Sequence, residues 1–215
     1  MMMHDRLQLA KPLAALSLLC TLVAYTAPAA AVPFNVALGK PVTISGDYGV
    51  ISPEGLTAGW GDSTTFPPAA LSTVTDGTYL PEGTHWQQGT VWWDERNPGS
   101  ANNIIEIDLQ GLFRIELLSI QADNNDQYQI NYRNADGVWI GYGIFNPFGG
   151  AGMRERSGIL APFEATAIQI DALGGDGYYA VSEFQARGES VPEPGTLSLL
   201  AFGLSGLLLR RRRLN

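Results

Sequence analysis

Residues 104–122 read IIEIDLQGLFRIELLSIQA, and Gln110-Gly111 divides them into two apolar-rich runs. In the first run, apolar and charged residues alternate from Ile105 to Leu109, which places the apolar side chains on one face of an extended chain. The second run, 112–122, is again mostly apolar. We therefore predict two neighbouring β-strands, each with one face turned towards a hydrophobic core.

The strand pattern continues towards the C-terminus. Short apolar or alternating segments recur at 128–132, 138–142, 165–172 and 178–186. The segments between them, 123–126, 134–137 and 174–177, are rich in Asn, Asp and Gly, which favour turns. Helical periodicity is nearly absent from 32 to 190. Short strands joined by such turns predict an all-β fold, an antiparallel sandwich or barrel.

The charge of the chain is unevenly distributed. The whole sequence has a formal net charge of −8, but residues 32–190 contain seven basic and 19 acidic residues, a formal charge of −12. The other six basic residues lie in the two terminal segments. A region this acidic repels nucleic acid and anionic lipid. It favours divalent cations or neutral ligands.

The N-terminal segment has the pattern of a secretory signal peptide. Arg6 and Lys11 precede an uncharged, mostly apolar stretch at 12–25, and small residues follow at 27–31. We predict a signal-peptide helix within 1–31, cut after Ala31 or Ala29. Cys20 is then removed, so the exported protein has neither disulfides nor a thiol nucleophile.

The C-terminal segment, 191–215, has three parts in a fixed order. They are Pro192-Glu193-Pro194, an uncharged apolar run at 196–209, and four basic residues, Arg210, Arg211, Arg212 and Arg213. As a helix the apolar run spans about 21 Å, short of the roughly 30 Å hydrocarbon core of a membrane. An ordinary tail anchor is one interpretation of this short hydrophobic helix.

The order of these three parts resembles the PEP-CTERM sorting signal of Gram-negative bacteria. The resemblance implies that an exosortase, a membrane enzyme, recognises the Pro-Glu-Pro tripeptide and processes the protein during export. It also implies a precursor anchored in the inner membrane, and a product at the cell surface or in the extracellular matrix.

The middle region, 32–190, resembles the galactose-binding-like jelly rolls, which include coagulation factor V/VIII C-type (discoidin) domains and many carbohydrate-binding modules. Five segments carry the resemblance in the family's order: NVALGKPVT at 35–43, TDG at 75–77 with THW at 84–86, IEIDL at 105–109, YQINY at 128–132 with DGVW at 136–139, and SEF at 182–184. The resemblance implies an all-β, antiparallel jelly-roll sandwich, flanked here by the signal-peptide helix and the short C-terminal helix.

The same resemblance implies a possible calcium site. In these domains an Asp before Gly, a nearby hydroxyl, a Glu of the last strand and backbone carbonyls often hold Ca²⁺. The matching residues are Asp76, Thr84 and Glu183. Such mixed carboxylate and carbonyl oxygens suit calcium. Asp76 as a plain turn residue and Glu183 as a solvated strand residue are the alternatives.

The irregular region 47–103 contains the candidate ligand-binding residues Trp60, Asp62, Phe66 and Trp92. Sugars are bound by aromatic faces and by planar polar groups. Because Trp92 and Trp93 are adjacent, a strand there would point one inwards and one outwards. We expect Trp86 and Trp139 in the core, since the family's equivalents pack there. For 123–126 a hydrogen-bonded turn is favoured over a ligand site.

Signs of catalysis are lacking in the sequence. His85 is the only histidine left after processing, and no nucleophile elbow, paired zinc histidines or phosphate-binding loop occurs. Asp94 and Glu95 are adjacent and would face opposite sides of a strand. We predict an exported, non-catalytic binding protein that recognises glycan, with polysaccharide as its partner. The alternative is a structural biofilm-matrix protein whose jelly roll binds protein partners or only calcium.

Overall fold

The computed structural model describes residues 32–158 and 161–192. The predicted signal peptide and the sorting signal beyond Pro192 therefore lie outside the described residues. Within those two ranges, no helix has the length and apolar character needed to cross a membrane.

The described chain is built from antiparallel strands and two very short helices. The strands are β1 Phe34–Asn35, β2 Val42–Ile44, β3 Val91–Asp94, β4 Ile104–Asp123, β5 Gln127–Arg133, β6 Trp139–Phe145, β7 Met153–Gly158, β8 Phe163–Gly174 and β9 Tyr178–Ser190. The helices are α1 Pro53–Thr57 and a 3-10 helix, Leu71–Thr75. This composition confirms the predicted all-β fold.

Strand β4 is shared by the two layers of the sandwich. Its first part pairs with β2 and β8, and β8 continues the layer through β5 to β6. Its second part pairs with β7 on one side and β9 on the other, and β9 also pairs with β1 and β3. A single 20-residue strand thus passes from one layer into the next.

The prediction of two neighbouring strands at 104–122 is wrong. The pairing with β8 shifts register between Asp108 and Phe113, and Gln110 has a positive φ of 59°. Beyond this irregularity β4 still pairs with the same strand, since Phe113 lies opposite Ala165 of β8. Gln110-Gly111 is therefore an irregularity within one strand and does not separate two strands.

Apolar side chains from both layers form one core. The fully buried members include Ile105, Ile107, Leu109, Ile115, Leu118, Ile120, Ile130, Ile168, Ile170, Val181 and Phe184. Tyr128 of β5 crosses between the layers, since its hydroxyl donates to the Ala180 carbonyl and accepts from the Ala180 N–H, both at 3.1 Å. Its ring also lies 6.1 Å from that of Tyr179. These contacts confirm the antiparallel sandwich.

Strands β5, β6, β8 and β9 confirm the predicted segments 128–132, 138–142, 165–172 and 178–186. Strand β7 was not predicted, because its sequence MRERSG offers a single large apolar residue, Met153. Its pairing with β4 places it in the sheet.

Candidate functional site

A cleft of about 340 Å³ opens at the end of the sandwich where β4 ends and β9 begins. Its lining residues are Trp60, Gly83, His85, Trp86, Asp123, Asn125, Gly150, Ala151, Gly152 and Asp176. The volume lies within the roughly 300–1,000 Å³ of small-molecule sites. A larger groove of about 830 Å³ along β6 and β7 ends at Gly158, next to two residues outside the described chain, and we assign it no function.

One wall of the cleft is a cluster of aromatic rings. Trp60 meets Trp86 edge to face at 5.6 Å between ring centroids, and lies 5.9 Å from Tyr178. His85 is 5.8 Å from Trp60 and stacks on Phe66 at 5.3 Å. Burial lowers the pKa of His85, which favours the neutral imidazole. The wall is therefore apolar and uncharged.

Local hydrogen bonds fix the loop that carries Trp60. Helix α1 begins at Pro53, because the Ser52 hydroxyl accepts the Gly55 N–H at 3.2 Å. The buried Gln87 amide then clamps Gly61, donating to its carbonyl at 2.7 Å and accepting its N–H at 3.2 Å. These contacts hold the ring of Trp60 at the cleft in a defined position.

Two hydrogen-bond donors in the aromatic wall have no partner. Within the described residues, the indole N–H groups of Trp60 and Trp86 are buried and make no hydrogen bond. Trp86 as a whole is only 5% exposed. A buried unpaired donor costs about 1–3 kcal/mol. Both groups belong to side chains that line the cleft.

The opposite side of the cleft is acidic. The Asn125 amide donates to the Asp176 carboxylate at 2.7 Å, and the Tyr178 N–H donates to its second oxygen at 3.0 Å. Burial raises the pKa of Asp123 to about 6, and the neighbouring Asp176 charge adds to this effect. This side therefore offers carboxylate acceptors and one amide.

Asp126 lies behind the acidic wall. It is fully buried, and burial followed by the charges of Asp123 and Asp176 raises its pKa to about 8. One of its carboxyl oxygens has no hydrogen-bond partner within the described residues. At neutral pH the carboxyl group is therefore mostly protonated.

Arg156 of β7 holds the 123–126 loop in place. Its buried guanidinium donates to the carbonyls of Asp126, at 2.8 Å, and of Asp123. It also lies over the ring of Tyr128, with 5.2 Å to the centroid. The Arg156 guanidinium thus fixes the 123–126 loop from its buried side.

The structure brings two of the four predicted ligand residues close to the cleft. Trp60 lines it, and Phe66 supports His85. Asp62 instead stabilises its own turn, since one carboxylate oxygen accepts from Thr64 and Thr65. The Thr64 hydroxyl is the main cause of a lowered Asp62 pKa.

Trp92 lies beneath the cleft and is 0% exposed. Its indole N–H donates to the Phe66 carbonyl at 3.2 Å, and its ring packs on Trp86. Trp93 is buried as well, against Tyr179. The expectation that one of the two tryptophans faces solvent is wrong, because the early loops cover the outer side of β3. Trp92 supports the cleft and does not line it.

Several cleft residues were missed by the sequence analysis. His85, Asp123, Asn125 and Asp176 line the cleft, whereas 123–126 was expected to be mainly a hydrogen-bonded turn. Trp86 is buried as expected, but it also lines the cleft. Trp139, expected in the core, is half-buried on β6 beneath the Arg133 guanidinium.

The predicted calcium ligands do not all converge. Glu183 is buried and accepts the Gly77 N–H with both oxygens at 3.1 Å, and burial, with a contribution from the Asp76 charge, raises its pKa to about 7. Asp76 is thus its neighbour. Thr84 is bonded to β7 instead, since its carbonyl accepts the Met153 N–H.

The separation of Thr84 has a clear structural reason. Strands β7 and β9 flank β4, so they lie roughly 10 Å apart. The connecting segment crosses the outer face of β4, where Leu80 exchanges two hydrogen bonds with the Gln121 amide. Among the described residues, no group of three or more His, Cys, Asp or Glu side chains could hold a metal ion. Thr84 therefore lies apart from Asp76 and Glu183, and calcium binding by these residues stays a prediction.

Fold and cleft together describe an antiparallel β-sandwich with a loop-built cleft at one end. Residues 190–213 match the PEP-CTERM protein-sorting motif. This motif indicates secretion and sorting to the surface or to a membrane. No curated protein matches the sequence of the chain.

Solved structures with a similar fold include galactose-binding-like carbohydrate-binding modules. A fucose binding module from Streptococcus pneumoniae is 16% identical, with a TM-score of 0.47, over 72% of this chain and 94% of the module. The family 32 carbohydrate-binding module of NanJ from C. perfringens, in complex with galactose, is 13% identical, with a TM-score of 0.47, over 73% of this chain and 98% of the module. SpGH29 is 17% identical, with a TM-score of 0.45, over 74% of this chain, which spans 28% of that protein. At these values the similarity concerns the fold, and a ligand has to be derived from the residues of this chain.

Proposed function

We propose that this chain is an exported, non-catalytic glycan-binding protein. It is sorted through its C-terminal signal, by an exosortase-type enzyme, to the cell envelope or the extracellular polysaccharide matrix of a Gram-negative bacterium. The observation that carries the binding function is a cleft lined both by aromatic side chains, of Trp60, His85 and Trp86, and by the carboxylates of Asp123 and Asp176.

The two walls of the cleft suit the two sides of a sugar ring. The apolar C–H face packs on an aromatic side chain, here Trp60 with His85 beside it. Hydroxyl groups of the sugar donate to the carboxylates of Asp123 and Asp176. A ligand with an apolar ring face and several hydroxyl groups matches both walls at once.

The charge of the region restricts the kind of glycan. With a formal charge of −12 over 32–190, the domain repels polysaccharides rich in uronate, sulfate or sialic acid. Neutral sugars carry no such cost. We therefore expect neutral glycans as ligands.

The way in which Asp123 and Asp176 are held supports ligand binding without catalysis. Asp123 is 5% exposed and accepts the Asn124 N–H at 2.9 Å. Asp176 is fixed by Asn125 and Tyr178. Carboxylates held in this way act as fixed acceptors for hydroxyl groups.

The test is a glycan array probed with the exported chain, 32–215, in mild detergent, followed by calorimetric titration of the hits. Binding of neutral glycans, with no release of reducing ends on prolonged incubation, is expected. Binding of no glycan would reject the proposed function, and steady release of reducing ends would reject the non-catalytic part of it.

A further inference from the structure

Strand β9 connects the cleft directly to the sorting motif. Its first residue, Tyr178, contacts Trp60 and Trp86 in the aromatic wall, with centroids 5.9 and 5.7 Å apart. Its last residue, Ser190, is the first residue that matches the sorting motif. Twelve residue steps of about 3.3 Å separate the two points by roughly 40 Å.

The neighbouring strand β4 also places the cleft and the sorting motif at opposite ends of β9. Strand β4 runs antiparallel to β9, with Phe113 opposite Ser190 and Ala122 opposite Val181. Asp123, which lines the cleft, is therefore at one end of the sandwich. Leu112 and Phe113 are at the other end, where the chain leaves the sheet. Cleft and exit point lie at opposite ends of the fold.

The joint between sandwich and sorting motif has no linker. Ser190 is still paired in the sheet, and the next residue, Val191, donates its N–H to the Leu112 carbonyl at 2.9 Å. Pro192, the first residue of the Pro-Glu-Pro tripeptide, follows at once and is exposed. From Ser190 to Pro192 the joint is therefore short, and the proline restricts the backbone of Val191 before it.

We propose that, while the precursor is held in the membrane by its tail, the exit end of the sandwich lies against the membrane and the sorting enzyme, and the cleft opens away from the bilayer. The surface met by that enzyme is the end formed by Phe113, Ser190 and their neighbours. The glycan-binding cleft is then accessible before the tail is processed. This inference depends on the proposed sorting route and adds an orientation to it.

The exported chain, 32–215, contains no cysteine, so single labelling sites can be introduced without background. Ala151→Cys places a fluorophore at the cleft, and Glu164→Cys places one near the exit end, where Glu164 pairs with Arg114. Both positions are exposed. The labelled chains are reconstituted by their tails into vesicles of neutral lipid with a headgroup acceptor dye.

Energy transfer several-fold stronger from position 164 than from position 151 is expected. A flexible Gly/Ser insertion between Ser190 and Val191 should bring the two values together, because it frees the domain. Equal transfer without the insertion would overturn the orientation alone. Loss of the chain from the vesicles would overturn the anchored precursor and this orientation with it, whereas glycan binding is measured separately and is not affected by either result.

Discussion

The rings of Trp60 and Trp86 meet edge to face with their centroids 5.6 Å apart, and each indole N–H is buried without a partner in the described chain. Trp86 is 5% exposed and is held by the core beneath it, while Trp60 is half-buried and forms the rim. In the proposed binding site, Trp86 supports the aromatic wall from below, and Trp60 is the ring that contacts the ligand. Truncating the rim ring should therefore change binding more than folding.

Trp60→Ala is expected to weaken binding of the glycans found on the array by roughly five- to tenfold, since a lost aromatic contact is worth about 1–1.4 kcal/mol. Calorimetric titration measures this effect. Trp139→Ala is the matched control, because Trp139 is also half-buried but lies on β6 beside Arg133. Equal loss in both variants would contradict the assignment of the cleft.

The buried carboxyl groups predict a stability that depends on pH. Burial raises the pKa of Asp126 to about 8 and that of Asp123 to about 6, from an ordinary value of 3.8. The folded state therefore binds these protons more tightly than the unfolded state. Their contribution is complete below about pH 4 and is lost as the pH rises through 6 and 8.

Urea unfolding at pH 5 and pH 8 should show a lower free energy of unfolding at pH 8. Asp126→Asn should reduce this difference by on the order of 1 kcal/mol or more, because the amide does not ionise. Asp136→Asn, in the exposed turn between β5 and β6, should leave the difference unchanged. A pH-independent stability in the parent chain would show that Asp126 ionises freely.

Arg156→Lys is expected to destabilise the fold by about 2–4 kcal/mol, because a single ammonium replaces a guanidinium that donates to two buried carbonyls. Arg154→Lys, two residues away, should cost under about 1 kcal/mol, since Arg154 pairs with the half-exposed Glu82. Denaturant unfolding of both variants measures the difference. Similar costs would mean that Arg156 does not organise the 123–126 loop.

Much of the fold followed from the sequence, because the strands alternate apolar and polar residues and are bounded by Asn, Asp and Gly. Two features could not be predicted in this way. Strand β7 has no apolar period, and only its pairing with β4 makes it a strand. The other feature is the irregularity at Gln110, where φ is positive. Two apolar runs with polar residues between them fit one irregular strand as well as two separate strands.

The cleft was harder to predict than the fold, because it joins residues far apart in sequence. Trp60 was identified with Asp62 and Phe66 in an irregular loop, and no local pattern placed it near Asp123 or Asp176. The burial of Trp92 was also not visible, since it depends on Phe66 and Trp86 covering β3 from outside. Two-fold alternation fails for a strand that is covered on both faces.

Calcium binding by Asp76, Thr84 and Glu183 stays a prediction of the resemblance. If the ion binds, excess calcium should raise the melting temperature, and a chelator should reverse the shift. Glu183→Gln should abolish the shift, and Thr84→Ala should preserve it, because the Thr84 hydroxyl is already bonded to the Pro81 carbonyl. Differential scanning calorimetry measures these shifts, and an unchanged melting temperature in the parent chain would reject the site.

Glu193 tests the sorting signal, since it is the only charged residue between Ser190 and Arg210. Glu193→Ala is expected to leave an unprocessed, membrane-held precursor, because the tripeptide loses the carboxylate that distinguishes it from an ordinary proline-rich tail. Glu189→Ala is the control, since Glu189 is an acidic residue of β9 just before the motif. Pulse-chase labelling with membrane fractionation follows both variants. Maturation of Glu193→Ala to the parental size at the parental rate would remove the sorting enzyme from the proposal and favour an ordinary tail anchor.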